Sequence, residues 1–261
     1  SIYNALRSSQ SSSPYYNKST DAYCYIGTEK PNHDVVIVGW DDSYSKDNFN
    51  TDLEGDGAFI CQNSWGDNFG ENGFFYISYY DTNIGTHNVV YTDIENTDNY
   101  DHIYQSDLCG WVGQLGYNKD SIYGANVFTA EGNETLKAAS FYATGKDSQY
   151  ELYVVRQFED ETSLEKMIPV ASGKLGNAGY YTVDFNQGIE VDAGERYAVV
   201  LYIITPGSVH PMAIEYAADE ATENVDLDDG ESYISANGSK WVSVDTVEKS
   251  NLCIKAFSDN R

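Results

Sequence analysis

Short apolar runs broken by Gly, Asn and Asp recur along almost the whole chain, and helical periodicity is nearly absent. Residues 1–20, rich in Ser, Asn and Tyr, read as a short strand leading into a polar loop. From Tyr23 the texture is that of strands. Val35-Val36-Ile37-Val38, ended by Gly39, reads as a buried strand, and a polar loop follows from Asp41 to Asp56. Ala58–Cys61 and Phe74–Tyr79 read as two more strands, the second entered through Asn72-Gly73, a strong tight-turn signal. Between Thr92 and Asp101 the composition shifts to Asp, Asn, Thr and Glu, which marks a domain boundary. Beyond it, strand-like segments alternate with Gly and Asn turns: Ala125–Thr129, Ala138–Ala143, Tyr150–Val155, Tyr180–Phe185, Arg196–Ile204, Met212–Tyr216, Ser232–Ser235, Lys240–Val244 and Leu252–Phe257. That spacing predicts a β-sandwich or jelly roll, so the chain as a whole reads as mainly β. Two domains follow, at residues 1–95 and 102–258, and no internal repeat is visible.

Composition narrows the partners. With 41 acidic and 15 basic residues the net charge is −26, which repels nucleic acid phosphates and anionic membrane surfaces. No apolar run approaches the length of a membrane span. Hydrophobic residues make up 41% of the chain, enough for real cores. Four cysteines (Cys24, Cys61, Cys109 and Cys253) are too few for a disulfide scaffold, and buried free thiols are expected in preference to a Cys109–Cys253 bridge. The chain opens at Ser1 without an initiator methionine or a signal segment, so it reads as an excised or processed piece.

The chemistry sits in two segments. Asn32-His33-Asp34-Val35-Val36-Ile37-Val38-Gly39-Trp40 places a histidine at the mouth of a strand, and Asn63-Ser64-Trp65-Gly66 follows thirty positions later. A thiolate nucleophile needs an imidazole to take its proton, and that imidazole needs a fixed acceptor for its second N–H. An asparagine oxygen suits that role, and an indole can keep water off the bond between them. These two segments strongly resemble the β-rich right-hand half of papain-like cysteine peptidases. So do Gly57-Ala58-Phe59 before the second of them and Gly73-Phe74-Phe75-Tyr76-Ile77-Ser78 after it. The resemblance implies that His33 is the catalytic base and Asn63 its orienter. Trp65 would be the covering indole, with Gly66 beside it, and Asn32 would border the substrate cleft. It implies no cofactor for catalysis and a peptide or protein substrate.

The nucleophile departs from that pattern. In the family it stands at the start of a long helix, far upstream of the histidine, in the half that also carries the oxyanion-hole glutamine. Cys24, in Asp21-Ala22-Tyr23-Cys24-Tyr25, has a strand-like context, and Cys61 reads as core. The chain alone is therefore expected not to cleave peptides. A missing N-terminal peptidase half becomes an expected partner, and an apolar face should be exposed where that half would pack.

Residues 102 to 258 resemble, less sharply, the lectin-like β-domain of cell-surface cysteine peptidases from Gram-positive anaerobes. The resemblance rests on Ile103-Tyr104-Gln105, Gly110-Trp111, Tyr123-Gly124-Ala125-Asn126-Val127-Phe128 and Leu136-Lys137-Ala138-Ala139-Ser140-Phe141. It implies an extracellular or cell-surface location, recognition of a carbohydrate or cell-wall polymer, and room for bound structural calcium. Trp111 and Trp241 are the candidates for stacking on sugar rings. Asp226, Asp228 and Asp229 in Asp226-Leu227-Asp228-Asp229-Gly230 are the candidate calcium ligands. A second acidic run, Asp52-Leu53-Glu54-Gly55-Asp56-Gly57, starts like an EF-hand loop, but Asn63 stands where that loop needs a bidentate glutamate. The leading reading is the C-terminal part of a secreted or surface-bound cysteine peptidase. The alternative is a non-catalytic carbohydrate- or cell-wall-binding protein with a vestigial peptidase segment.

Overall fold

The computed structural model describes residues 13–86 and 88–261, with residue 245 described by its backbone alone. The strand expected at the head of the chain lies largely outside the described residues. Two compact units divide between Tyr91 and Thr92.

Among the described residues, the first unit forms one five-stranded sheet. Its strands are β1 (Tyr16–Asn17), β2 (Ala22–Tyr23), β3 (Val36–Asp41), β4 (Ala58–Gln62) and β5 (Phe74–Ser78), in the order β1-β2-β5-β4-β3. Asn72 and Gly73 both take positive φ, at 56° and 90°, between the paired residues Glu71 and Phe74. That is the backbone twist a two-residue hairpin needs, and Asn-Gly adopts it at least cost. β4 and β5 bury Cys61, Phe75 and Ile77 on one face of the sheet and Ala58 on the other. β3 is the exception. The Val run that reads as a buried strand is an edge strand, paired among the described residues with β4 alone, and Val36, Val38 and Trp40 are 59%, 50% and 69% exposed. The run has the composition of a central strand, but no neighbour among the described residues covers it.

The second unit is a β-sandwich. Its strands are β6 (His102–Tyr104), β7 (Gly113–Leu115), β8 (Ser121–Thr129), β9 (Glu134–Ala143), β10 (Ser148–Val155), β11 (Ile168–Leu175), β12 (Gly179–Val191), β13 (Arg196–Ile204), β14 (Met212–Glu215), β15 (Ser232–Ser235), β16 (Val242–Ser243), β17 (Asn251–Leu252) and β18 (Ile254–Asn260). One sheet runs β11-β10-β13-β8-β15-β16, another β12-β9-β18-β6, and β17-β14-β7 form a third. Inward residues such as Ile122, Leu152, Val199, Leu201 and Phe141 fill the main core. The outward residues of the six-stranded sheet (Ala125, Val155, Ala198 and Val200) are also buried, under Phe158 and Leu164. Two-sided burial explains why Tyr197-Ala198-Val199-Val200-Leu201 is apolar throughout. The buried Asn126 ties β8 to the opposite strands: its amide donates to the Leu252 and Ile254 carbonyls, and its oxygen accepts from Ser232.

Lys240–Val244 departs from the expected strand. Only Val242–Ser243 is extended, and a helical turn follows at Val244–Val247. All four cysteines are free, so no Cys109–Cys253 bridge forms, and Cys109 is exposed rather than buried.

Candidate active site

His33 lies three residues before β3 and Asn63 directly after β4, so antiparallel pairing of the two strands brings them together. His33 Nε2 stands 2.9 Å from Asn63 Oδ1. The Ser64 backbone N–H also donates to that oxygen, at 2.8 Å, and this fixes which end of the amide is oxygen. An amide oxygen can only accept, so the imidazole donates through Nε2–H. In that tautomer Nδ1 carries the lone pair, and the ring is set up to take a proton there.

The surroundings hold this arrangement in place. Asn63 is buried, and its backbone N–H donates to the Gly73 carbonyl at 3.0 Å, tying it to the Asn72-Gly73 turn. Trp65 packs on the imidazole with ring centroids 5.0 Å apart. Phe69 then meets Trp65 edge-on at 5.3 Å and Phe75 at 5.5 Å, so the site is anchored to the unit's core through a chain of rings. Gly66 takes a positive φ of 79°, which lets the chain turn away directly after the indole. Asn32 and Gly66 are exposed at the rim. Asn63 Nδ2 is buried without a hydrogen-bond partner among the described residues.

Neither cysteine of this unit is suited to attack. Cys24 and Cys61 are fully buried, and desolvation pushes their thiols up to about 11 and about 12, with the charge of Asp81 adding to it. A reactive thiol needs the opposite shift.

The candidate metal residues separate. Asp228 turns outward to Lys249, at 2.9 Å. The Asp229 carboxylate instead points at the Asn251 Nδ2 atom, at 3.2 Å. That nitrogen is also met by Glu215 Oε2 and by the Ser106 and Asp226 carbonyls, at 2.9, 2.8 and 2.9 Å. Four oxygens thus surround an amide that has two hydrogens to give, and Glu215 is buried among them. Two carboxylates and two carbonyls suit calcium by donor type, although Asn251 fills their centre. Among the described residues, no group of three or more His, Cys, Asp or Glu side chains is arranged to hold a metal. In the loop at residues 52–57, the Leu53 carbonyl accepts from the Lys46 ammonium and Asp56 from the Lys46 backbone N–H.

Trp111 lies at the surface, 5.8 Å from the Tyr142 ring. Trp241 is half-buried edge-on to Tyr123, with its indole N–H enclosed and unpartnered among the described residues. Sequence reading missed Glu215 and Asn251, which carry no local motif.

The family model for the lectin like domain matches residues 103–258, and that for the papain family of cysteine proteases matches residues 2–94. The chain belongs to the lectin-like domain family, joined to the C-terminal, β-rich segment of a papain family cysteine protease domain. The solved structures similar to it include two of a clostridial cysteine protease. One is the clostridial cysteine protease Cwp84 after propeptide cleavage, at 28% identity and a TM-score of 0.80, covering 100% of this chain and 68% of that one. The other contains the cysteine protease and lectin-like domains of Cwp84, described as a surface layer associated protein of Clostridium difficile. It is 26% identical with a TM-score of 0.76, covering 95% of this chain and 56% of that one. No curated protein matches by sequence.

Proposed function

We propose that this chain is the base-bearing part of a secreted, bacterial, cell-surface papain-like cysteine endopeptidase. The observation that carries the proposal is the hydrogen bond from His33 Nε2–H to an Asn63 oxygen held in place by Ser64. His33 Nδ1 takes the proton of a cysteine thiol supplied by the rest of the peptidase domain. The thiolate attacks the peptide carbonyl, and the resulting imidazolium then protonates the leaving amine. Imidazole next deprotonates the water that hydrolyses the acyl-enzyme. Asn63 keeps the ring in one tautomer through both steps, and Trp65 shields the bond that does so. These proton transfers call for no cofactor.

The exposed apolar residues of β3 support the missing peptidase half as partner, because the strand has the composition of a two-sided core position. The chain alone is inactive in this reading, since the two thiols of its peptidase-like unit are buried and their pKa values are raised to about 11 and about 12, which keeps them protonated at neutral pH. Turnover of a fluorogenic peptide by the purified chain, lost on His33→Ala, would overturn it.

The lectin-like unit is proposed to hold the enzyme to a carbohydrate or cell-wall polymer, in line with the surface-layer association of Cwp84. Structural calcium belongs to the same proposal. Glu215, Asp229 and the Asp226 carbonyl would hold it, with Asn251 moved aside. A melting temperature unchanged by EDTA would count against the ion. The burial of Cys24 and Cys61 leaves a second reading, a binding protein with a vestigial peptidase segment. Failure to gain activity when a cysteine-bearing half is supplied would favour it.

A further inference from the structure

We propose that the outer face of the β12-β9-β18-β6 sheet is a glycan-binding track, running from Trp111 to a cleft at Asp184. Its ligand would be a chain of uncharged or amine-bearing pyranoses. The inference rests on the carbohydrate reading of the lectin-like unit and names its site.

Antiparallel register makes the track. Tyr180 pairs with Tyr142, Thr182 with Ser140 and Asp184 with Ala138, so these side chains share one face. On edge strand β12, Tyr180, Thr182 and Asp184 are all exposed. Two steps of i to i+2 along a strand cover about 14 Å, room for a few pyranose rings. At one end Trp111, Tyr142 and Tyr180 stand in sequence, with ring centroids 5.8 and 5.0 Å apart. Trp111 is 36% exposed and Tyr180 44%. The Tyr180 hydroxyl hydrogen-bonds with Ser140 Oγ on β9, which holds the part-exposed ring over the strands. An aromatic face fixed in this way is suited to the C–H face of a sugar, because little side-chain entropy remains to be lost.

At the other end the track enters a cleft of about 350 Å³ lined by Glu95, Tyr100, Lys137, Asp184, Phe185 and Asp259. Tyr100 packs on Phe257 at 4.9 Å and donates its hydroxyl to Asp184. Lys137 pairs with Asp259 at 3.5 Å, both half-exposed. Carboxylates accept hydroxyl donors in pairs, and the ammonium donates to ring and glycosidic oxygens. Three carboxylates against one ammonium favour neutral or amine-bearing sugars and disfavour uronic acids, and the net charge of −26 acts in the same direction.

The test uses the full chain on an array of immobilised neutral, amine-bearing and carboxylate-bearing oligosaccharides. Binding to neutral or amine-bearing chains is expected. It should weaken about tenfold or more in Tyr180→Ala and Trp111→Ala, each a loss of about 1.4 kcal/mol or more. Thr182→Arg blocks the track at an exposed position and should weaken binding equally without shifting the melting temperature. Wild-type binding left unchanged by all three variants overturns the track while sparing the carbohydrate reading. No binding to any oligosaccharide overturns the carbohydrate reading itself. Preference for carboxylate-bearing chains overturns the assigned sugar class.

Discussion

Replacing Asn63 with alanine removes the acceptor that selects the His33 tautomer. The wild-type amide oxygen accepts the imidazole Nε2–H at 2.9 Å and the Ser64 N–H at 2.8 Å, in a half-buried setting beside Trp65. One such bond has a net value of about 0.5–1.5 kcal/mol, which converts to a tautomer ratio about two- to tenfold in favour of Nε2–H. In Asn63→Ala that bias disappears and the Nδ1–H form gains population by the same factor. The ratio can be read from the ring nitrogen shifts in long-range ¹⁵N–¹H spectra of the purified chain, at a pH where His33 is neutral. Asn63→Asp keeps the acceptor and should keep the tautomer, which separates this effect from general loosening of the loop. A wild-type ring protonated mainly on Nδ1, or a ratio unchanged in Asn63→Ala, would refute the orienting role.

Two further outcomes concern the two folds. Val38→Lys on β3 should leave the chain's stability within about 0.5 kcal/mol, because the side chain is already half-exposed, whereas Phe75→Ala should cost about 3–5 kcal/mol in urea melts. A large loss from Val38→Lys would show that β3 is covered within this chain. In the sandwich, burial alone would raise the Glu134 carboxyl, but donors from Ser258, Tyr104 and the Gly132 N–H outweigh it and hold it below its usual range. The folded value is the lower one, so this contribution is present above the ordinary glutamate pKa of about 4.3 and is lost as pH falls through the depressed value. Glu134→Gln should cost about 1–3 kcal/mol at neutral pH and flatten the acid limb of the stability profile. An unchanged acid limb would contradict the assignment.

Much of the fold was legible from local signals. Arg196–Ile204 and Ser232–Ser235 are strands with the bounds that apolar patterning gives them, and Asn72-Gly73 forms the expected hairpin turn. β11 was missed because Pro169 and Gly173 interrupt its pattern, as suits a strand at the edge of its sheet. Lys240–Val244 misled because Val242-Ser243-Val244 alternates like a strand, yet a helical turn begins at Val244 directly after Ser243. The Val run of β3 misled about burial for a different reason: composition reports what a strand is suited to pack against, and exposure depends on which neighbour is present. At the site, the meeting of His33 with Asn63 was readable because strand pairing joins two recognisable motifs. The oxygen cluster at Asn251 was not, because Ser106 and Asn251 are 145 residues apart in the chain. Tyr142 and Tyr180 likewise become a platform only through the β9–β12 register.

The central proposal is that His33 serves as the base for a cysteine nucleophile supplied by the rest of a papain-like peptidase domain. The most direct measurement is hydrolysis of a fluorogenic peptide after this chain is joined, by fusion or by mixing, to a papain-like half that carries the cysteine. Activity is expected only in the joined protein. It should be abolished by His33→Ala and reduced at least about two- to tenfold by Asn63→Ala, the factor by which the bond biases the tautomer. A joined protein that folds but stays inactive, or one that keeps its activity in His33→Ala, would contradict the account.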